Sequence, residues 1–433
     1  MFVSRPSLWT DFDCRDLNAD KARVYLERSK SFPINLRLRE GGDLSLHGPF
    51  LQIIPHATDR LKSLAIRTTP ETLQDITAHL SRPAPLLENL SIDCGCKFEP
   101  HHNPTLTTTL FDGDLTSLCR LSLKSIRTEL PWRGMVNLTS FVLWDTSPHD
   151  IPIGRFLDFF ESAPHLRKIK LILATPTSGA QNGRLISLAS LKWMKIAGYE
   201  PPSFLLGHLI IPAGAKLTTE GSSHGSLFEN LLPRSLDNLR NLPDFTDIHL
   251  LIGVPETQVL FTGPNGKVCM VSIAYRSDTT CLALNSLAQF DTSKTEQLKV
   301  VRGNSPSSDP LYRALLPMKN LRTLTLSHCA GPDIFILALD PNTRLSGVMA
   351  CPKLEELVLV LRLDGETLNI RNVIEMAAAR ALRGAKLKSV RIVSPDESMQ
   401  TDALELGKHA LHVECGPQVG VANDGSNDSD EED

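Results

Sequence analysis

Residues 166–171 read LRKIKL and residues 191–196 read LKWMKI, so one apolar-x-x-apolar-x-apolar hexamer occurs twice in close succession. In an extended strand, successive side chains point to opposite faces. Positions four and six of the hexamer therefore face one side, and positions three, five and seven face the other. The pattern predicts a short β-strand with a buried face at positions four and six.

Copies of this hexamer run through most of the chain. Six copies begin at residues 61, 87, 118, 138, 166 and 191, so they recur at intervals of 20 to 31 residues. Later copies begin at residues 245, 321, 354 and 387, a degenerate copy lies around residue 298, and a weak strand is expected near Leu217. These intervals bracket the leucine-rich-repeat period of about 20–29 residues.

The segments between hexamers carry helical patterns. Residues 71–80, 155–162 and 370–382 each place apolar side chains on one helix face. Pro85, Pro164 and Pro352 stand just before a hexamer, where proline ends a helix and extends the chain. A strand followed by a helix cannot close its own core, so such units are expected to stack.

We therefore predict an α/β fold, a leucine-rich-repeat solenoid with a curved parallel sheet on the concave side and helices and loops outside. The alternative is a doubly wound α/β sheet, which would need longer apolar strands and a phosphate loop. Residues 258–273, QVLFTGPNGKVCMVSI, contain two strand-like runs around a turn signal and predict a hairpin insertion at one edge of the array.

The charge distribution and the lack of targeting signals indicate which partners and which cell compartment to expect. The chain of 433 residues has a net charge of −4, but residues 424–433 carry six acids and no base, so the remainder carries +2. This balance does not favour a nucleic-acid binder, and the acidic end is expected to be a disordered tail. The first ten residues lack a signal-peptide core, no apolar run approaches ~18 residues, and the nine cysteines are scattered. We expect a cytoplasmic or nuclear protein with reduced thiols and no membrane partner.

Three N-terminal segments and the proline-led repeats together resemble a known family. The segments are residues 6–10, PSLWT, residues 25–29, YLERS, and residues 33–36, PINL. With repeats such as residues 84–90, APLLENL, they are similar to fungal F-box-like proteins with irregular leucine-rich repeats, over nearly the whole chain except the acidic tail. In that family SLWT resembles the exit of the F-box, and the LERS helix leads into the first repeat.

The resemblance implies a substrate receptor of an SCF-type, cullin-based ubiquitin ligase, which binds its protein substrate through the repeats. A whole F-box would lie before Pro6, so we expect the adaptor-binding helices to be missing and adaptor docking to require an upstream F-box. The implied divisions are residues 1–40 as F-box exit and N-terminal cap, residues 41–415 as the solenoid with a hairpin insertion near 258–273, and residues 416–433 as the tail. Regular repeats place asparagine or cysteine three residues after the hexamer, and here only Cys329 conforms, so irregular turns are expected.

Gly221-Ser222-Ser223-His224-Gly225 matches G-x-S-x-G, the nucleophile elbow of hydrolases. The alternative is a flexible loop between a strand and a helix, built from the small and polar residues that such loops use. No glycine-rich oxyanion segment precedes the motif, so we favour the loop.

Cys94, Cys96, His101 and His102 are a candidate metal set. Zinc sites pair C-x₂₋₄-C with a second spaced pair, and this spacing is too short and has no second pair. Free thiols in a loop between repeats are the favoured reading. The chain also contains no P-loop and no dinucleotide fingerprint. We therefore predict no enzyme activity, no catalytic or metal-binding residues and no cofactor.

The outward hexamer positions carry the main functional signal. They place cationic and aromatic side chains on neighbouring repeats, where one patch is expected: Arg120, Lys124, Trp144, Lys168, Lys170, Trp193, Lys195 and, beside Asp247, His249. Exposed tryptophan and arginine are favoured hot-spot residues, and lysine over an aromatic face permits a cation–π contact.

The structural alternative is that these tryptophans pack against neighbouring strands and the lysines form an ordinary solvated face. We predict recognition of a protein partner through this face. The alternative function is binding of nucleic acid or another acidic ligand through the same lysine and tryptophan side chains, which salt would weaken steeply.

Overall fold

A computed structural model of the protein describes residues 5–13, 19–39, 54–95, 104–106, 110–128, 134–146, 152–176, 183–198, 201–221, 231–233, 235–242, 245–252, 256–263, 266–274, 283–284, 287, 290–302, 308–343, 348–361, 368–394 and 404–416. The structure is mixed α/β, with seventeen strands in large, mostly parallel sheet pairings. The chain divides into two compact units, unit 1 comprising Met1–Pro243 with Val268–Ile273, and unit 2 comprising Asp244–Lys267 with Ala274–Asp433.

The strands are mostly short and are numbered in chain order. They are β1 Asp11–Asp13, β2 Ile34–Arg39, β3 Leu61–Thr68, β4 Asn89–Cys94, β5 Thr105–Leu106, β6 Arg120–Lys124, β7 Arg127–Thr128, β8 Ser140–Trp144, β9 Lys168–Ile172, β10 Ile186–Ser187, β11 Trp193–Gly198, β12 Leu209–Ile210, β13 Lys216–Gly221, β14 Asp247–Ile252, β15 Glu256–Gly263, β16 Gly266–Ala274, β17 Gln297–Val301, β18 Thr323–Ser327, β19 Glu356–Val360, β20 Leu387–Val393 and β21 Ala410–Gly416.

The α-helices lie between strands or near the N-terminus. They are α1 Ala19–Ser29, α2 Pro70–Ala78, α3 Ile153–Ser162, α4 Pro202–Leu206, α5 Ser308–Leu315, α6 Pro332–Leu339 and α7 Ile370–Leu382. Short 3₁₀ turns occupy Pro6–Trp9, Thr58–Arg60, Leu110–Gly113 and Thr292–Lys294. None of the helices within the described ranges is long and apolar enough to cross a membrane.

In unit 1 the strands pair in chain order and run parallel. The order is β1, β2, β3, β4, β6, β8, β9, β11, β13 and β16. The two-residue strands form the small parallel pairs β5–β7 and β10–β12. Equivalent hexamer positions lie opposite one another, as Leu121, Phe141 and Ile169 do on β6, β8 and β9.

The predicted core positions of the hexamers are confirmed. Side chains at positions four and six are at most 2% exposed in Leu64, Ile66, Leu90, Ile92, Leu121, Leu123, Ile169 and Leu171. Helix α3 covers part of this buried face with Phe156, Phe159 and Phe160, all buried. The ring centroids of Phe141 and Phe159 are 4.4 Å apart, so strand and helix meet through aromatic packing.

Five strands are followed directly by a residue other than glycine whose φ is positive. These residues are Ser125, Asp145, Leu173, Arg302 and His328, which follow β6, β8, β9, β17 and β18. Each donates its backbone N–H to a carbonyl near the end of the following strand, at 2.6–2.8 Å. The parallel ladder is thus extended by one hydrogen bond at the residue where the chain turns away from the sheet.

In unit 2 the strands β14, β17, β18, β19, β20 and β21 pair in that order and run parallel. Helices α5, α6 and α7 lie between consecutive strands of this series, and α6 packs against both α5 and α7. The side chain of Arg380, on α7, is fully buried.

Both strands of the predicted hairpin are present. Strand β15 pairs antiparallel with β14 in unit 2, and β16 pairs parallel with β13 in unit 1. The weak strand near Leu217 is β13, and the degenerate copy around residue 298 is β17. The elements that the sequence did not predict are β1, β2, β5, β7, β10, β12, β21, α4, α5 and α6. The predicted acidic tail, beyond Gly416, lies outside the described residues.

Candidate functional site

The sheet of unit 1 arranges its outward side chains in rows that cross the strands. The row nearest the amino ends of the strands, here the amino-end row, contains Arg120, Ser140, Lys168, Trp193 and Lys216 in register on β6, β8, β9, β11 and β13. Neighbouring strands lie about 4.8 Å apart, so this row is about 19 Å long. Its first four members come from position three of successive hexamers, and Lys216 lies on β13, the weak strand near Leu217.

A second row lies four residues further along the same strands. This carboxyl-end row contains Asp93, Lys124, Trp144, Ile172, Ala197 and Glu220 in register. Lys170 and Lys195 lie opposite each other between the two rows. The structure thus brings together the seven predicted residues of unit 1, Arg120, Lys124, Trp144, Lys168, Lys170, Trp193 and Lys195, which we call the Lys/Trp surface.

Trp144 is the more exposed of the two tryptophans on the Lys/Trp surface, with 38% of its area accessible. The Nζ of Lys124 lies 5.1 Å from the centroid of its ring, and the Nζ of Lys170 lies 5.0 Å from it. Both distances are within the range of a cation–π contact. Neighbouring strands therefore hold two ammonium groups over one indole.

Trp193 is half-buried and lies opposite Lys168 in the ladder. The Nζ of Lys168 is 5.4 Å from the centroid of the Trp193 ring. Trp144 and Trp193 therefore both lie on the outward face with lysine over them, rather than in the buried core. The two indole rings therefore pack against neighbouring side chains and still remain accessible to solvent.

Two acidic residues on this face were missed by the sequence analysis. Asp93 lies 3.5 Å from the Nζ of Lys124 and 3.9 Å from the Nε of Arg67, and Glu220 lies 2.6 Å from the Nζ of Lys195. Both occupy position seven of their repeats, so reading that position on β4 and β13 as well would have found them. The positive charge of Lys124 and Lys195 is therefore largely compensated within the surface.

The amino-end row differs in its charge. Among the residues that the structure describes, Arg120, Lys168 and Lys216 form no ion pair with an acid. All three are exposed, as are Arg167 and Lys192 at the preceding position of β9 and β11. Lys216, Arg167 and Lys192 were not predicted, because β13 lacks a recognisable hexamer, and Arg167 and Lys192 stand at position two of theirs rather than at an outward position.

His249 lies on β14 and belongs to unit 2. Burial lowers the pKa of His249, Lys299 opposite it lowers the pKa further, and Asp247 acts in the reverse direction. Burial also raises the pKa of the Asp247 carboxyl. The membership of His249 in the same patch as the residues of unit 1 stays a prediction.

The two alternative chemical sites fall mainly outside the described residues. Gly221 ends β13, and Ser222, Ser223, His224 and Gly225 of the G-x-S-x-G motif lie outside them. Of the metal candidates, Cys94 is buried at the end of β4, whereas Cys96, His101 and His102 lie outside. The described part of the chain holds no group of three or more His, Cys, Asp or Glu residues that could bind a metal ion.

The Lys/Trp surface offers binding chemistry, because ammonium and guanidinium groups attract carboxylates and half-exposed indoles provide apolar contact area. No known protein family matches the chain, and no curated protein matches its sequence. A function is therefore proposed from the geometry of this surface.

Proposed function

We propose that the protein is a non-enzymatic recognition scaffold, built as a leucine-rich-repeat solenoid, that binds a protein partner through the Lys/Trp surface. The observation that carries this proposal is the pair of accessible tryptophans, Trp144 and Trp193, set among lysines on the outward face of a continuous parallel sheet. Tryptophan is enriched at interface hot spots because it contributes a large rigid area at small entropic cost.

Several repeated features support the solenoid architecture. The strands of each unit follow one another in chain order, and the residue at position two of one hexamer accepts hydrogen bonds from the next, as the carbonyl of Arg167 does from Lys192 and Trp193. The Cys329 thiol, at the position where regular repeats place asparagine or cysteine, donates to the carbonyl of Val300 on the neighbouring strand, at 3.4 Å. Such repetition is typical of stacked repeats.

The rigidity of the platform supports recognition rather than turnover. Each outward side chain is attached to a strand whose alternate residues are buried, so binding fixes few additional backbone torsions. The cation–π contacts also restrain Trp144 and Trp193 before a partner arrives. Preorganised side chains reduce the entropy lost on association.

The N-terminal region supports the F-box-like part of the proposal. The ring centroids of Trp9 and Tyr25 are 4.8 Å apart, and the guanidinium of Arg28 lies 4.5 Å from the centroid of the Trp9 ring. The PSLWT turn and α1, which carries the LERS motif, thus pack together beside β1 and β2. We propose that the partner is a substrate delivered to a cullin-type ligase in the cytoplasm or nucleus, provided that an upstream F-box exists.

A capture experiment tests the recognition function. A photo-crosslinking amino acid at Ser140, in the centre of the surface, is expected to trap a discrete partner in cell extract, and one at Thr325 of unit 2 is expected to trap none. The double variant Trp193→Ala with Lys195→Ala should abolish the adduct while leaving the melting temperature unchanged. A melting temperature that falls together with the adduct would show that these side chains serve packing instead.

The ligase role has a separate test. If the gene encodes an F-box in frame upstream of Met1, the longer protein should co-purify with a cullin-ligase adaptor. The absence of such an F-box, or failure of the longer protein to co-purify, removes the ligase role without affecting partner recognition. The second candidate function, binding of nucleic acid or another acidic ligand, is favoured by the uncompensated cations of the amino-end row. Counterion release would make such binding fall steeply with salt.

A further inference from the structure

We infer that the ligand of the Lys/Trp surface is a short, extended, acidic peptide segment that crosses the strands along the amino-end row. This inference rests on the proposed recognition function. It adds the charge, the length and the position of the bound segment.

The charge follows from the asymmetry of the surface along the strands. At the amino end, Arg120, Lys168 and Lys216 carry three positive charges, and the row contains no acid. At the carboxyl end, Asp93 and Glu220 are present and already hold Lys124 and Lys195. Four residues along a strand separate the rows by about 13 Å, which exceeds the Debye length of about 8 Å at physiological salt. An anionic segment is therefore attracted to the amino-end row with little opposition from the distant acids.

The length follows from the ladder. The row from Arg120 on β6 to Lys216 on β13 covers four strand spacings, about 19 Å, and an extended peptide advances about 3.3 Å per residue. About six residues therefore cover the row. Alternate side chains of such a segment point towards the sheet, so three carboxylates of one hexapeptide face the surface and match the three cations in number.

Trp193 lies within this row, between Lys168 and Lys216 in register. Its half-buried ring offers apolar contact to the peptide backbone between the two cations. Lys168 already lies over this ring, so the ammonium group that would meet a carboxylate is held in place before binding. Hydrogen bonds from a positioned ammonium to a carboxylate are charge-assisted and short.

The same contacts argue against single-stranded nucleic acid. Sequence-tolerant binding of single strands relies on bases stacking on free aromatic faces. Here Lys168 lies over Trp193, and both Lys124 and Lys170 lie over Trp144. A carboxylate can join an ammonium group that lies over an indole, whereas a base would have to displace it.

The test is fluorescence anisotropy with fluorescein-labelled hexaglutamate and the full chain at about 0.15 M salt, where the Debye length is about 8 Å. We expect saturable binding, which the double variant Lys168→Gln with Lys216→Gln weakens about tenfold or more. Lys168→Arg with Lys216→Arg should keep binding within about twofold, because guanidinium also pairs with carboxylate. The matched control is Lys353→Gln with Lys388→Gln, which removes two positive charges from exposed positions of unit 2, outside the Lys/Trp surface, and its effect should stay below about twofold.

Three outcomes overturn the inference. The first is an equal loss of affinity in the control variant Lys353→Gln with Lys388→Gln, which would show nonspecific charge attraction. The second is tighter binding of a fluorescein-labelled hexathymidine oligonucleotide than of hexaglutamate, which would indicate a nucleic-acid ligand. The third is no binding of hexaglutamate while the adduct at position 140 still forms, which would leave the recognition function standing with a different ligand class. Loss of both signals in folded protein would remove the recognition function as well.

Discussion

Unit 1 and unit 2 each contain a ladder of parallel strands, but the side chains on the outward and buried faces differ between the two units. On the outward face, unit 1 presents lysine and tryptophan, whereas the corresponding residues of β18 and β19 in unit 2 are Thr323, Thr325 and Ser327, and Glu356, Val358 and Val360. The hexamer requires apolar residues only at its buried positions. The outward positions are therefore free to diverge, and a surface rich in lysine and tryptophan can arise on one unit while the other carries neutral and charged side chains and no tryptophan.

The buried faces differ as well. In unit 1, α3 packs on the strands through Phe156, Phe159 and Phe160. In unit 2, α7 is tied to the segment before β19 by the buried guanidinium of Arg380, which donates to the carbonyl of Ala350 at 3.0 Å and to that of Cys351 at 2.7 Å. Burial lowers the pKa of Arg380 and raises the pKa of the Cys351 thiol to about 12. In unit 2 a buried cation and backbone carbonyls thus add to the apolar packing of α7, which also buries Val373, Met376 and Ala377.

The largest expected effect tests the aromatic side of this comparison. Phe159→Ala should lower the free energy of unfolding by about 4 kcal/mol, because the ring is fully buried and contacts Phe141 and Phe160. Differential scanning calorimetry should show the loss in a transition that belongs to unit 1. Leu382→Ala, at an exposed position on α7, is the control and should shift no transition by more than about 0.5 kcal/mol.

A somewhat smaller effect tests the buried cation. Arg380→Met should lower the free energy of unfolding of unit 2 by about 3 kcal/mol, because two buried carbonyls lose their donor. Arg371→Met, at an exposed position on the same helix, is the matched control and should be close to neutral. If Phe159→Ala and Arg380→Met shift one shared transition, the two units unfold cooperatively as a single array. The units would then differ in their buried side chains but not in their stability.

The smallest effect concerns pH and is confined to unit 2. Folding lowers the pKa of His249, so the unfolded chain takes up a proton near the ordinary histidine pKa of about 6.5 while the folded unit resists it. The stability of unit 2 should therefore fall as the pH drops from about 7.5 to about 5.5. Urea denaturation of His249→Gln at these two pH values should show a smaller loss than the parent chain. An identical loss in both proteins would place the acid sensitivity elsewhere.

Much of the fold could be predicted because the repeat is short and its buried positions are apolar. The hexamers located β3, β4, β6, β8, β9, β11, β14, β18, β19 and β20, and helical periodicity located α2, α3 and α7. Strand β21 has a burial pattern that lacks clean alternation, so it carries little periodic signal. Helix α5 has eight residues, so its helical pattern extends over only about two turns.

The candidate site was predicted in part, for a different physical reason. The tryptophans and lysines could be found because each occupies an outward position of one recognisable hexamer. The pairing of Lys124 with Asp93 and of Lys195 with Glu220 joins residues on neighbouring strands, so it depends on a register that one strand alone does not specify. The burial of Arg380 likewise depends on how the carbonyls of Ala350 and Cys351 turn towards α7.

The left-handed residues at the strand ends have a consequence for how the chain can change. Ser125, Asp145 and Leu173 each complete a ladder hydrogen bond at the last point before the connecting segment begins. An inserted or deleted residue beyond that point leaves the pairing of the strand intact, so its effect stays within one connection. The hexamer intervals that begin with β6, β8 and β9 are 20, 28 and 25 residues, so connections of different length follow the same kind of strand end. Each connection can therefore lengthen, shorten or acquire a new binding role separately, while the strands on either side keep their alignment.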